Sequence, residues 1–277
     1  MDIRFAADMQ SVKSYDTTAL REKFLIPEVF RDDEITAVYS LHDRMIILGG
    51  RPLKKALALP AFEMMTKAGY FLERREMGII NVGQAGVVTA DGEKFTVGNK
   101  ECLYIGKGVQ QVIFESSDPA NPAEFYMNSA PAHAPYPVAK AGLKDANRIE
   151  TGAMNTSNER TIYQYIHEKG IQSCQLVMGL TILKSPSIWN TFPPHTHLRR
   201  MEAYLYFEVP EDQLIFHFMG EPTETRHIVM RNKQAVISPE WSIHSGVGTA
   251  SYSFIWGMAG ENKAFADMDG VKTEEMR

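Results

Sequence analysis

Short apolar or alternating segments, separated by turns rich in Gly, Pro and Asp, make up most of this chain. The stretch 86–95, Gly-Val-Val-Thr-Ala-Asp-Gly-Glu-Lys-Phe, is typical of them. Such spacing predicts many short strands arranged in a sandwich or a barrel. One of the few helical patterns covers residues 17–25, with Asp16 as candidate N-cap and Pro27 as a stop. The pattern therefore predicts a mainly all-β protein with few short helices.

Residues 129–158 interrupt this rhythm because they are rich in Pro, Ala and polar residues, which is typical of a linker. Strand patterns on its two sides resemble each other. The string 72–76 aligns with 198–202, and 101–111 aligns with 234–244. Chance similarity of short strand-forming strings is the alternative to an internal repeat. The repeat predicts an N-terminal barrel at 60–128 and a C-terminal one at 159–277. An arm at 1–59 would pack on the barrels or on a neighbouring subunit.

Composition narrows the class of protein. The chain has 277 residues, 44% hydrophobic content and a formal net charge of −5. We therefore expect a globular protein that binds neither nucleic acid nor membrane surfaces. Its apolar runs are too short to cross a bilayer, and its N-terminus lacks a secretory pattern. Cys102 and Cys174 make no disulfide framework, so we expect buried thiols and a cytoplasmic location.

Four residues form a candidate metal site: His195, His197, Glu202 and His244. On a strand, residues two apart face the same side, so the first two histidines project side by side. Two ordinary surface histidines would be the alternative for that pair alone, but Glu202 opens a new strand and His244 follows a Pro-containing turn. Three nitrogens and one carboxylate suit Zn, Fe, Mn, Ni or Co, and the absence of thiolates favours a catalytic site. We expect one ion per chain, with Zn²⁺ as first choice.

The order His-x-His-x4-Glu followed by Pro-x-x-x-x-His resembles the two metal-binding motifs of the cupin superfamily. Trp241 departs from it, since many cupins have Gly at that position. The resemblance implies a bicupin, that is, two fused cupin-type antiparallel β-barrels. It leaves the reaction open, because cupins include isomerases, dioxygenases, decarboxylases and non-catalytic binding domains.

A closer resemblance extends along most of the chain. Its strings are 46–50, 160–167, 173–180, 199–202, 219–222, 224–227, 241–248 and 254–262. They are similar to the 4-deoxy-L-threo-5-hexosulose-uronate ketol-isomerase family. Leu198 departs from the acidic residue that is usual there. The resemblance implies a homohexamer that converts 5-dehydro-4-deoxy-D-glucuronate to 3-deoxy-D-glycero-2,5-hexodiulosonate in pectin and uronate degradation.

In the first copy of the repeat, the positions aligned with the four candidate ligands hold Gly69, Phe71, Glu76 and Gln111. One carboxylate cannot hold a transition metal against water and a competing site. We therefore expect the N-terminal barrel to be degenerate and metal-free, with Phe71 filling the space that a metal would take.

Ketol isomerisation requires a group that moves a proton, and the anionic substrate requires a cationic partner. Candidates for the proton are Glu240, His217 and Tyr204. A solvated turn carboxylate is the alternative for the first, a core histidine for the second and a barrel-lining residue for the third. Candidates for binding the substrate carboxylate are Arg160, Arg199, Arg200 and Arg226. Charged turn residues are usually solvated, which is the alternative for these arginines.

Two other functions stay open at this point. A three-His-one-Glu cage also serves cupin dioxygenases, which require a redox metal and oxygen. A sugar-acid-binding cupin would show affinity without turnover. No Gly-x-Gly-x-x-Gly fingerprint opens a helix, so we expect no nicotinamide or flavin.

Overall fold

The computed structural model describes residues 1–277 and consists mainly of β-strands, with few and short helices. The α-helices are α1 (Met9–Val12), α2 (Thr17–Phe24) and α3 (Glu63–Thr66), and 3-10 turns lie at Phe71–Glu73, Met154–Thr156 and Thr273–Glu275. The predicted helix is α2, and the Asp16 side chain caps it by accepting a hydrogen bond from Ala19 N at 2.8 Å. No helix has both the length and the apolar character to span a bilayer.

One pair of sheets is formed mainly by the first half of the chain. The seven-stranded sheet has, in spatial order, β1 (Asp2–Arg4), β3 (Ile35–Ser40), β4 (Ile46–Gly50), β11 (Phe125–Pro131), β6 (Arg75–Asn81), β9 (Cys102–Ile105) and β12 (Ala139–Ala141). The four-stranded sheet has β5 (Leu57–Ala58), β10 (Val112–Ser116), β7 (Gly86–Ala90) and β8 (Glu93–Val97). Side chains from both sheets, such as Leu103 and Phe114, share one buried core.

A second pair of sheets follows the same plan. The seven-stranded sheet has β13 (Asn147–Thr151), β14 (Arg160–Ile166), β15 (Val177–Leu183), β23 (Ser253–Gly260), β18 (Arg200–Phe207), β21 (Ala235–Ser238) and β2 (Leu25–Ile26). The four-stranded sheet has β16 (Trp189–Asn190), β22 (Ser245–Gly248), β19 (Ile215–Glu221) and β20 (Glu224–Met230). A small fifth sheet joins β17 (His195–Thr196) to β24 (Asp269–Gly270).

The two sheet pairs have equivalent strand orders, so the repeat expected from sequence is present in the topology. Strand β6 carries Glu76, and β18 carries Glu202. The two strands occupy the same position in their sheets. Likewise β9 corresponds to β21, and β10 to β22. Within each pair the two sheets have separate hydrogen-bond ladders, so each half consists of two facing sheets.

The segments expected to form an arm and a linker contribute strands to the sheets. Within residues 1–59, β3 and β4 are integral to the first large sheet and β2 forms the edge of the second. Residues 129–158 contain the end of β11 together with β12 and β13. Pro131 is the last residue of β11 and lies opposite Arg75 of β6.

The two halves pack closely against each other. A Cβ on Gly257 would lie 2.0 Å from Asn128 Oδ1, and one on Gly78 would lie 2.7 Å from Ile166 Cδ1. Only glycine fits at such crossings, because any side chain would displace the opposite sheet. The larger hydrophobic core accordingly contains residues from both halves, including Tyr126 and Met178.

Glu76 is fully buried at this junction and binds the second half of the chain. Its carboxylate accepts hydrogen bonds from the backbone N–H groups of Cys174 (2.6 Å), Gln175 (2.7 Å) and Leu176 (2.8 Å). A fourth bond comes from the hydroxyl of Tyr104 at 2.7 Å. The carboxylate thus fixes the loop that leads into β15, and all four donors are satisfied within the protein.

Other positions of the first copy behave as ordinary structure. Phe71 is 2% exposed, belongs to the core of the first sheet pair and packs edge-on against Phe62. Gln111 is exposed and lies next to β10. Cys102 is a buried free thiol as expected, and Cys174 is a free thiol that is only partly buried.

Replacing Glu76 by Gln should lower the free energy of unfolding by about 2–4 kcal/mol. The side-chain NH2 group would replace one carboxylate oxygen, and it cannot accept the hydrogen bonds that the backbone N–H groups donate there. Urea denaturation followed by circular dichroism measures this as a lower midpoint. Glu93→Gln, an exposed isosteric change on β8, is the matched control and should stay within about 0.5 kcal/mol of the parent protein. Equal midpoints for both variants would contradict the anchoring role of Glu76.

Candidate metal centre

The four candidate ligands converge at one point of the second sheet pair. Glu202 Oε2 lies 3.0 Å from His244 Nε2 and 3.2 Å from His197 Nε2. His195 Nε2 lies 3.0 Å from His244 Nε2. The donor atoms of the three histidines all lie within 4.8 Å of one another. Three imidazoles and a carboxylate therefore direct their donor atoms to one small volume.

Local structure explains this convergence. Glu202 lies on β18 with its side chain directed inward, His195 lies on β17, and His244 immediately precedes β22. The Nδ1–H of His197 donates to the carbonyl oxygen of Arg200 at 2.9 Å. That bond leaves the lone pair of Nε2 free on the side that faces Glu202, the arrangement usual for metal-binding histidines.

The chemistry of this donor set fits a divalent transition ion. Two imidazole nitrogens 3.0 Å apart, as in His195 and His244, need a shared cation or proton between their lone pairs. Nitrogen and carboxylate donors without thiolates suit Zn and its first-row neighbours. The residues present therefore fit a metal of this class.

The electrostatics also favour the ligating protonation states. Burial alone would raise the pKa of Glu202, but the neighbouring imidazoles of His244 and His197 outweigh it and hold that pKa below its usual range. Burial, reinforced by His244, lowers the pKa of His195 to about 2. An ionised carboxylate and a neutral imidazole are the forms that bind metals.

A cavity of about 400 Å³ opens beside these residues, a size typical of small-molecule sites. Its polar lining includes Thr191, Arg160, Tyr204, His195 and Glu202. Its apolar lining includes Ile149, Ile162, Phe254, Trp256, Phe265 and Met268. Two of the four candidate ligands thus reach the wall of a cavity that can accept a ligand.

Among the residues predicted to move a proton or to bind the substrate carboxylate, Tyr204 and Arg160 line this cavity. Tyr204 is 3% exposed, and its hydroxyl lies 3.2 Å from Thr191 Oγ1. Burial and the charge of Glu202 raise the pKa of Tyr204 well above its usual value, so the phenol is protonated. Arg160 is the only Lys or Arg in the lining, and it donates to the carbonyl oxygen of Asn158 at 2.8 Å.

Glu240 and His217 lie outside the cavity lining. Glu240 accepts a hydrogen bond from His42 Nδ1 at 2.9 Å, and the Nε2 of that histidine accepts one from Ala7 N. The adjacent Trp241 is buried and donates to Ala7 O at 3.1 Å. This turn therefore holds the N-terminal segment in place.

His217 is fully buried, and its Nδ1 lies 2.8 Å from the hydroxyl of Tyr206. Burial, followed by the charge of His244, lowers the pKa of His217 to about 3. The structure thus places this histidine in the interior of the sheet pair, with its ring centroid 5.8 Å from that of the cavity-lining Tyr204.

Three of the four predicted arginines also lie outside the lining. Arg199 forms ion pairs with Asp267 and Asp269. Arg200 is buried and donates to carbonyl groups of the C-terminal segment. Arg226 pairs with Glu224 on β20. The guanidinium groups of these three arginines are paired within the protein.

The sequence pattern missed several cavity residues. Thr191 follows the short strand β16, whereas Phe265 and Met268 lie in a C-terminal segment without strand periodicity. For Phe265 and Met268, the one signal in the sequence is their apolar character within a polar stretch. Leu198, where the resemblance has an acidic residue, is 62% exposed and changes none of the four candidate ligands.

Comparison with solved structures supports a cupin-like fold. An IolB-like protein from Salmonella typhimurium has a TM-score of 0.72 and 13% identity, covering 90% of this chain and 96% of that one. An oxalate decarboxylase of Bacillus subtilis, described with Mn(II) centres, has a TM-score of 0.56 and 11% identity, covering 83% and 71%.

Sequence comparison gives much closer relatives. The chain is 52% identical over 277 residues to a 4-deoxy-L-threo-5-hexosulose-uronate ketol-isomerase from Halalkalibacterium halodurans, with full coverage of both chains. It is 50% identical over 279 residues, again with full coverage, to the protein of that name from Escherichia coli strain SE11. The pattern of the KduI/IolB family matches residues 27–275. This chain therefore belongs to the KduI/IolB family.

Proposed function

We propose that this protein is a metal-dependent ketol-isomerase of uronate degradation. It converts 5-dehydro-4-deoxy-D-glucuronate to 3-deoxy-D-glycero-2,5-hexodiulosonate in the cytoplasm. The observation that carries this proposal is the identity of 50–52% over the whole chain to relatives named for that activity. The cavity beside the four converging donors supports it, because an isomerase of this kind needs a small, partly polar site.

His195, His197, Glu202 and His244 are the proposed ligands of one divalent ion per chain. Zn²⁺ is the first choice, and Fe, Mn, Ni or Co would also suit the donors. When bound, such an ion polarises a carbonyl group and stabilises negative charge that develops on neighbouring oxygens. Distances of 3.0–3.2 Å in three of the donor pairs, and of at most 4.8 Å among the three histidines, support this assignment.

Arg160 is the proposed partner of the substrate carboxylate. It is the only strong cation in the cavity lining, and burial lowers its pKa only from a very high starting value. A guanidinium group can bind a carboxylate through two parallel hydrogen bonds, which fixes the orientation of the substrate. The reacting end of the substrate would then lie toward His195 and Glu202 in the same cavity.

The reaction moves one hydrogen between adjacent carbons. A proton leaves the carbon that bears the hydroxyl and returns to the former carbonyl carbon, while the hydroxyl proton passes to the neighbouring oxygen. Tyr204 is the proposed donor of the proton that the carbonyl oxygen gains, because its phenol is protonated and lines the cavity, whereas neither Glu240 nor His217 does. Its partner Thr191 Oγ1, at 3.2 Å, can orient that hydroxyl.

The fold and assembly are part of the proposal. Each sheet pair would be a cupin-type barrel, with the first one degenerate and the second one metal-binding. The equivalent strand orders of the two pairs support this arrangement. A homohexamer is proposed from the family resemblance.

Turnover of the ketouronate by purified protein under anaerobic conditions tests the reaction. In deuterated water, the product should carry solvent deuterium at the carbon that gains hydrogen, because the abstracted proton exchanges at an oxygen. Mass spectrometry and NMR of the product measure this. Strict dependence on oxygen would point to a dioxygenase, and binding without turnover would point to a binding module.

His197→Ala should reduce metal affinity by at least about 10- to 100-fold, the loss known even for residues that merely support a ligand. Elemental analysis after dialysis measures the ion content, and activity should fall with it. His227→Ala removes an exposed histidine of β20 and is the matched control. Full metal content and activity in His197→Ala would remove this residue from the ligand set.

Arg160→Met should raise KM for the ketouronate, and lower kcat/KM about 10- to 100-fold, because a charge-assisted hydrogen bond is worth about 1.5–3 kcal/mol. Metal content should not change. Arg226→Met makes the same substitution outside the cavity and serves as control. An unchanged kcat/KM in Arg160→Met would show that the substrate carboxylate binds elsewhere.

A further inference from the structure

The segment 261–271, here called the C-terminal strap, closes one side of the cavity. It leaves β23 and ends in β24, where Gly270 pairs with His195 of β17. Phe265 and Met268 of the strap line the cavity, and the Phe265 ring lies 5.2 Å from that of Trp256. The other cavity walls come mainly from strands of the large sheet, whereas this wall is an irregular segment.

Arg200 holds the strap from below. Its side chain is 1% exposed. Its Nη1 donates to Asn262 Oδ1 and to the carbonyl oxygen of Ala264, each at 3.0 Å, and its Nη2 donates to the carbonyl oxygen of Asp267 at 3.1 Å. A buried guanidinium group is stable only if its N–H donors are paired, so the Arg200 side chain favours the strap conformation that supplies these acceptors.

Arg199 holds the same segment from the outside. Its Nε donates to Asp267 Oδ2 at 2.7 Å, and its Nη2 donates to Asp269 Oδ2 at 2.8 Å. Its backbone carbonyl accepts a hydrogen bond from Glu261 N at 2.8 Å. Two side chains and one backbone group of adjacent arginines therefore clasp the strap along most of its length.

These arginines stand between His197 and Glu202 in the sequence. The short connection that joins two proposed metal ligands therefore also fixes the wall that faces them. The strap is also attached to His195, because Gly270 pairs with that residue. It therefore contacts the chain on both sides of His197. Its position relative to the reacting end of a bound molecule is set by this connection.

We propose that Arg199 and Arg200 are positioning residues that set substrate affinity through the strap. They hold Phe265 and Met268 against the carbon chain of the bound ketouronate, where these side chains supply apolar contact and exclude water. This inference rests on the function proposed above. Arg199 and Arg200 touch no substrate themselves.

The double variant Asp267→Asn/Asp269→Asn tests the inference. It weakens the clasp while it leaves both arginines and all four proposed ligands in place. Substitution of the buried Arg200 could prevent folding, so the carboxylates are the better targets. Glu274→Gln, an exposed carboxylate beyond the strap, is the matched control.

In the double variant, KM for the ketouronate should rise about 3- to 10-fold, as expected when two partly exposed ion pairs are weakened. Metal content should stay complete and kcat should change less than about two-fold, because the reacting groups are untouched. The control should behave as the parent protein does. An unchanged KM would overturn the inference, and loss of metal would overturn it too by assigning the clasp to the metal centre.

Hydrogen–deuterium exchange of the substrate-free protein provides a second readout. Peptides from residues 261–271 should exchange faster in the double variant, while peptides of β18 and β23 should not change. Exchange of the strap at the parent rate would overturn the clasp even if KM rose. Inactivity of the unmodified protein toward the ketouronate would instead refute the proposed function, and it would be seen before any variant is made.

Discussion

A carboxylate removed from water must find compensating donors or cations, and this requirement shapes both halves of the protein. The repeat places one buried glutamate at an equivalent point of each large sheet. Glu76 obtains three backbone N–H groups and a phenol. Glu202 instead faces imidazole nitrogens of two histidines, with a third close by. The first glutamate thus joins the two halves of the chain, and the second lies among imidazole donors.

The residues around Glu202 link the donor cluster to the C-terminal segment. The ring of His197 is oriented by a backbone carbonyl, and that carbonyl belongs to Arg200, whose side chain binds the C-terminal segment. Donor orientation and cavity shape are therefore not independent features. In the first half no such linkage exists, because Glu76 is satisfied by the loop before β15 and Phe71 fills the interior.

Local features of the molecule were predictable from sequence, and distant pairings were not. The alternation that brings His195 beside His197, the Asp16 cap and the buried Phe71 each depend on neighbours within a few residues or on one aligned string. The partners of Arg199 lie about seventy residues away, and the partner of Glu240 is His42 near the other end of the chain. Nothing in the periodicity of a segment encodes such partners. From the sequence alone the four arginines are equal candidates for substrate binding, and the structure distinguishes Arg160 by its place in the cavity lining.

The edge strand β2 has a consequence for how the protein is made. Leu25 and Ile26 pair with Val236 and Ala235, so this segment completes a sheet whose other strands lie more than 100 residues further along the chain. Contacts of such large sequence separation form slowly, because a long loop must close before they contribute. Leu25 and Ile26 must stay available, and protected from other partners, until residues 235–236 have been synthesised. The second sheet pair therefore reaches its complete form only after the first sheet pair has been synthesised in full.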